Sequence, residues 1–199
     1  MGESNKINYK NMSIEELIVL SQSNDYKALE TLIKKIQYDI YATMSYLLKD
    51  NNNLSDLTQE VLVKVAKNIR SLKSPSCFKS WVNHIITNTY YDFTRKINKK
   101  PPTISLEYTC EPSGFALKIE IPDKKFKPIE KCISSECEKM IKKAIRQLPE
   151  AFRIAIILRE FQGLSYEQIA QTTNSSIGTV KSRISRARIK LQDSLKNYI

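Results

Sequence analysis

Apolar residues recur at three- and four-residue intervals along most of the chain, a period that predicts helices and not strands. Ser13 with Glu16 has the spacing of a capping box and opens a short first helix. Residues 26 to 49 predict a second, with Ala28, Leu29, Leu32, Ile36, Ile40 and Met44 on its buried side. A third is expected from Asp56 to Arg70. Ser74-Pro75 then supplies a turn and a helix start, and Phe78, Trp81, Val82, Ile85 and Ile86 pattern a fourth helix to Lys96. These four make a compact amino-terminal bundle.

Five of the seven prolines fall between residues 101 and 134, where helical periodicity is poor. That composition marks a linker, whose only strand-like stretch runs from Lys118 to Ile121. Ser135 with Glu138 is a second capping-box pattern and opens a helix to Leu148; Pro149 begins the next, and Gly163 stops it. Ser165 with Gln168 starts a short helix, the polar run Thr172 to Ser176 interrupts it, and Ile177, Val180, Ile184, Ala187 and Leu191 form the apolar stripe of a last helix. The fold class is therefore all-α: two small helical domains joined by a flexible linker. The boundaries are a tail over 1–12, a bundle over 13–100, the linker over 101–134 and a helix-turn-helix module over 135–199.

Charge changes this picture by pointing to a partner. The 199 residues carry a net charge of +11, and no acidic residue interrupts 168 to 192. Thr179, Lys181, Ser182, Ser185 and Arg186 lie opposite the apolar stripe of the last helix, with Arg183 and Arg188 on its flanks. Such a face suits the DNA major groove, which admits one helix and offers guanine edges to Arg and Lys. A merely solvated basic face is the alternative. Asp56, Gln59 and Glu60 form an acidic edge on an otherwise basic chain. They fit either a cationic partner or the preference of carboxylates for a helix amino terminus.

Other chemistries find little material. Cys77, Cys110, Cys132 and Cys137 lack the paired short spacings of a zinc site and read as free thiols, and His84 is the single histidine. Four glycines supply no phosphate loop, and no catalytic triad is visible. We expect no enzyme, no cofactor and no metal. The segment Met1 to Lys6 lacks a signal-peptide core and no apolar run approaches a membrane span, so a cytoplasmic protein without membrane insertion is expected.

Leu148-Pro149-Glu150-Ala151-Phe152-Arg153, Leu158 through Ala170, and Gly178 to Arg183 together resemble region 4 of the extracytoplasmic-function sigma factors, small promoter-recognition subunits of bacterial RNA polymerase. Asp56-Leu57-Thr58-Gln59-Glu60-Val61-Leu62 is similar to the family's clamp-docking signature in region 2. Phe78 to Asn88, with Asp92 and Arg95, resembles the promoter-melting and −10 segment. Two departures stand out: Val61-Leu62 where the family often has Ala-Phe, and Tyr90-Tyr91 where small or aliphatic residues are frequent.

The resemblance implies that Asp56, Gln59 and Glu60 bind core RNA polymerase. It implies that Ser74, Ser76, Phe78, Asn88, Tyr91, Arg95, Lys96 and Lys99 serve the single-stranded −10 element. Thr179, Lys181, Ser182, Arg183, Ser185, Arg186 and Arg188 would then serve the −35 duplex. An anti-sigma partner is also implied. The residue pattern places Trp81 in the core and leaves Phe78 open between packing and base stacking. An ordinary regulator with an amino-terminal sensing domain, or a module that sequesters a regulator, would leave the clamp-like and melting-like segments unexplained.

Overall fold

A computed structural model describes the backbone of residues 8–99 and 128–196, and side chains within 8–98 and 136–196. The linker assignments between 100 and 127, including Lys118 to Ile121, lie outside these residues, as do Cys110 and the side chain of Cys132. The described residues form eight α-helices: α1 Ile14–Gln22, α2 Tyr26–Leu47, α3 Leu54–Asn68, α4 Phe78–Lys99, α5 Pro128–Gln147, α6 Glu150–Ile156, α7 Tyr166–Thr172 and α8 Ile177–Leu195. No strand occurs among the described residues.

Local chemistry sets the helix starts. Ser13 Oγ accepts from the Glu16 N–H at 3.1 Å while Glu16 accepts from the Ser13 N–H at 2.7 Å, closing the first capping box. Asp25 caps α2 through the N–H groups of Lys27 and Ala28. Those bonds, with the Tyr9 hydroxyl, hold its carboxyl below the usual aspartate range. The second expected helix start, at Ser135, is displaced. Pro128 opens α5, so Ser135 and Glu138 lie inside that helix, seven residues beyond the start, because proline's fixed φ suits a first turn.

Packing follows the apolar stripes. Leu32, Ile40, Met44, Val61, Leu62 and Ile86 are buried where α2, α3 and α4 meet, and α1 closes the bundle through Leu17 and Ile18. Full burial of each such side chain contributes roughly 1.5–3 kcal/mol. In the carboxy-terminal module, α8 packs on α5, α6 and α7 through Val180, Ile184 and Ala187. Ile177, expected in that stripe, is 41% exposed. It is the first helical residue after the Ser176 cap, with no earlier turn of its own helix to cover it.

The two regions do more than flank a linker: they touch. α2 contacts α5, and α4 contacts α7. Lys142 Nζ donates to Ser45 Oγ at 2.9 Å and Arg146 to Asn51 Oδ1 at 2.7 Å. Gln162 donates to Thr43 Oγ1 at 2.6 Å and accepts from Asn83 Nδ2 at 3.3 Å. The rings of Tyr46 and Phe161 lie 4.4 Å apart. At the centre of this seam the Arg153 guanidinium donates to the Tyr90 hydroxyl at 2.8 Å.

Candidate nucleic-acid interfaces and the acidic edge

The helix-turn-helix is assembled by backbone chemistry that the sequence carries openly. α6 runs into a π-helical turn, Ile157–Phe161, and Gly163 ends it at φ +63°, a conformation that costs glycine nothing. Ser165 and Gln168 close a reciprocal capping box at 3.2 and 2.9 Å, starting α7. Asn174, at φ +47°, turns the chain toward α8, and its short polar side chain tolerates that region. Ser176 Oγ accepts from the Thr179 N–H at 3.1 Å and caps α8.

The outward face of α8 is not uniform. Lys181, Ser182, Ser185 and Arg186 are exposed. Thr179 and Arg183 are partly buried; Thr179 shares a hydroxyl contact with Ser176 at 2.8 Å, and Arg183 donates to Ser175 Oγ at 2.8 Å. Arg188 donates from Nε at 3.2 Å and from Nη2 at 2.6 Å to the same Glu160 oxygen, Oε1, which holds its guanidinium above the ordinary range. Glu160 is the residue that sequence reasoning missed, because it lies 28 positions away on another element. Lys181 stands 6.0 Å from the Tyr166 ring, which Arg159 also approaches to 4.9 Å. The cations of this face left outside the Glu160 pair and the Ser175 bond are Lys181 and Arg186. We expect Arg186→Ala to cost about 1–3 kcal/mol on the cognate −35 sequence and to relax preference at one position. Glu160→Gln should instead tighten binding to all sequences evenly and steepen the salt dependence, since it releases Arg188; titration of promoter variants at several salt concentrations separates the two.

On the bundle, Asp56 and Glu60 are exposed on α3 and Gln59 is partly buried between them. Glu60 pairs with Lys64 at 2.7 Å, and Lys64 also donates to Thr89 on α4 at 2.9 Å. The acidic edge is thus partly neutralised on one side and open at Asp56.

The expected −10 residues divide into a surface group and a buried one. Ser74 and Ser76 share a hydroxyl contact at 2.9 Å beside the short 3-10 turn Pro75–Cys77 that leads into α4. Asn88 is exposed and sits 2.9 Å from His84 Nε2, so its amide stands on the surface of α4. Arg95 and Lys96 are exposed, with Arg95 only 3.5 Å from Asp92. Tyr91 is partly buried, and burial together with Glu150 pushes its hydroxyl pKa up. Phe78 is 7% exposed and lies in the core, its ring 6.1 Å from the partly buried Trp81. The open choice at Phe78 goes to packing in this conformation, while Trp81 is the more accessible ring. The Lys99 side chain lies outside the described residues. Among those residues no cluster of metal-ligating side chains occurs, and Cys77 and Cys137 are exposed free thiols.

Comparison with known proteins fits this arrangement. The Sigma-70 region 2 family matches residues 32–100 and the Sigma-70, region 4 family matches residues 138–191. The RNA polymerase sigma-H factor of Pseudomonas aeruginosa is 32% identical over 188 residues, covering 92% of this chain and 93% of its own. The ECF RNA polymerase sigma-E factor of Escherichia coli K12 is 32% identical over 186 residues, covering 92% and 94%. Among solved structures, the sigma factor RpoE of Bartonella quintana, crystallised with the anti-sigma factor NepR, is 28% identical with a TM-score of 0.59, over 81% of this chain and 92% of that one. CnrH, solved with the cytosolic domain of CnrY, has a TM-score of 0.61 over 93% and 99% at 17% identity, a likeness of fold. Two family regions in order, on one all-α chain, with relatives matched nearly end to end, place this chain in the extracytoplasmic-function branch of the sigma-70 family.

Proposed function

We propose that this chain is an alternative sigma factor whose two helical regions divide promoter recognition between them. α3 docks core RNA polymerase through Asp56, Gln59 and Glu60. The turn around Ser74 and Ser76, with Asn88, Tyr91, Arg95, Lys96 and Lys99, captures the melted −10 strand. α8 reads the −35 duplex through Thr179, Lys181, Ser182, Ser185 and Arg186, with Arg183 and Arg188 placed for phosphates. Phe78 serves by holding the start of α4. The observation that carries this reading is the pairing on one chain of a capped helix-turn-helix bearing exposed cations with a bundle bearing an acidic edge.

The chain's work is binding and strand separation, with bond formation left to the polymerase, and it acts where the polymerase acts, in the cytoplasm. An anti-sigma factor is a further partner of the kind seen with the Bartonella relative. Opening duplex DNA costs stacking of about 1.4 kcal/mol per step, so capture of an unpaired base tips an equilibrium that polymerase binding has prepared.

Transcription by purified core polymerase tests the proposal. Addition of this chain should direct initiation from promoters bearing its two elements. Replacing the 71–77 loop together with Asn88 should change the preferred −10 base and leave −35 preference intact. A premelted −10 bubble should restore open complexes to variants lacking Arg95 and Lys96 without restoring base preference to the loop variants. If core polymerase gains no promoter preference from the chain, the reading fails.

A further inference from the structure

We infer that the cleft between the end of α2 and one face of α5 binds a linear polyphosphate, free or as the tail of a nucleotide. The inference goes beyond promoter recognition and uses none of the residues assigned to it.

The cleft has a volume of about 630 Å³, and five of its lining side chains are cations: Lys49, Lys139, Lys142, Lys143 and Arg146. Glu138 is its one acid. α5 supplies four of the cations at positions 139, 142, 143 and 146, a spacing of three, four and seven residues that sets them on a single helix face. At 1.5 Å of rise per residue the row is about 10 Å long. It offers successive charges to a chain of phosphates, where a single small anion would meet only part of it.

None of the five is paired with a carboxylate among the described residues. Lys142 donates to Ser45 Oγ at 2.9 Å and stands 5.3 Å from the Tyr46 ring; Arg146 donates to Asn51 Oδ1 at 2.7 Å and to the Ser45 carbonyl at 3.4 Å. These contacts fix both head groups without neutralising them. The end of α2 attracts cations through its free carbonyls, which accounts for Lys142 and Arg146 beside Ser45 but not for Lys139 and Lys143, both exposed on α5. Like charges one turn apart, 139 with 143 and 142 with 146, repel and weaken the helix that carries them. Burial, then the charge of Arg146, holds the Lys142 ammonium below the ordinary lysine range, and Glu138 offsets only part of this. A multivalent anion lying along the row supplies the missing counter-charge through charge-assisted hydrogen bonds.

Titration calorimetry of sodium tripolyphosphate into the full chain tests the site, at about 0.15 M salt so that long-range attraction to the basic chain is screened. One saturable site is expected, with ATP competing for it and adenosine failing to. Lys139→Gln with Lys143→Gln removes two charges while keeping helix propensity, and should raise the dissociation constant about ten-fold. Glu138→Gln should lower it. Lys27→Gln with Lys67→Gln removes the same charge from exposed positions elsewhere on the bundle and should leave the constant within about two-fold. Equal losses in the two double variants would mean that binding follows net charge and would overturn the site, as would the absence of saturable binding. A DNA duplex without promoter elements should bind the natural chain and the Lys139, Lys143 double variant equally. A loss of duplex affinity in step with tripolyphosphate would give the cleft to the DNA backbone and overturn the inference as well. Neither polymerase nor promoter enters these measurements, so the sigma-factor reading stands or falls by its own test.

Discussion

Changing Asp56 and Glu60 together to lysine will weaken association with core RNA polymerase by about 2–5 kcal/mol, the range for opposing charges at a docked interface. The fold will survive it. Both side chains are exposed, and the ion pair of Glu60 with Lys64 lies at the surface, with side chains 44% and 35% exposed, where such pairs contribute less than about 1 kcal/mol. A lysine at position 60 would instead repel Lys64 one turn on, at a cost of about 0.2–0.5 kcal/mol. Competition for core polymerase measures the affinity, and circular dichroism with −35 duplex binding verifies that the rest of the chain is intact. Undiminished affinity in a folded double variant would remove α3 from the polymerase interface.

Ile184→Ala will destabilise the carboxy-terminal module by about 2–5 kcal/mol, because the side chain is 1% exposed and its loss leaves a cavity. Ile177→Ala, in the same apolar series but 41% exposed, will change stability by no more than about 0.5 kcal/mol. Denaturant titration followed on the module gives both values. Duplex binding should fall with Ile184, whose packing fixes the angle of α8 on α6 and α7, and persist with Ile177. Equal effects at the two positions would mean that the buried face of α8 has been assigned to the wrong residues.

These two isoleucines show what a sequence can and cannot carry. Periodicity specifies which face of α8 is apolar but not where along that face burial begins, since that depends on neighbouring helices far away in the chain. Capping at Ser13 and Ser165 was legible because donor and acceptor lie three residues apart. The spacing of Ser135 and Glu138 was equally inviting and stands inside α5, because a proline seven residues upstream had already started the helix. The pairing of Arg188 with Glu160 left no local mark, nor did the seam, whose bonds join residues 63 to 119 positions apart at Tyr90–Arg153 and Thr43–Gln162. Phe78 remained open for a related reason: an aromatic at a helix start can face inward or outward, and only α2 and the neighbouring turns decide.

The π-helical turn at Ile157–Phe161 bears on how such chains can vary in length. A π turn accommodates one residue beyond the ordinary helical count and absorbs it within that turn. Deleting a single residue there should therefore leave α7 and α8 aimed as they are. α8 has no such slack, because one residue more or less would rotate every later side chain by about 100° and carry the apolar stripe around toward solvent. A one-residue change in length should be tolerated at this turn and not within α8.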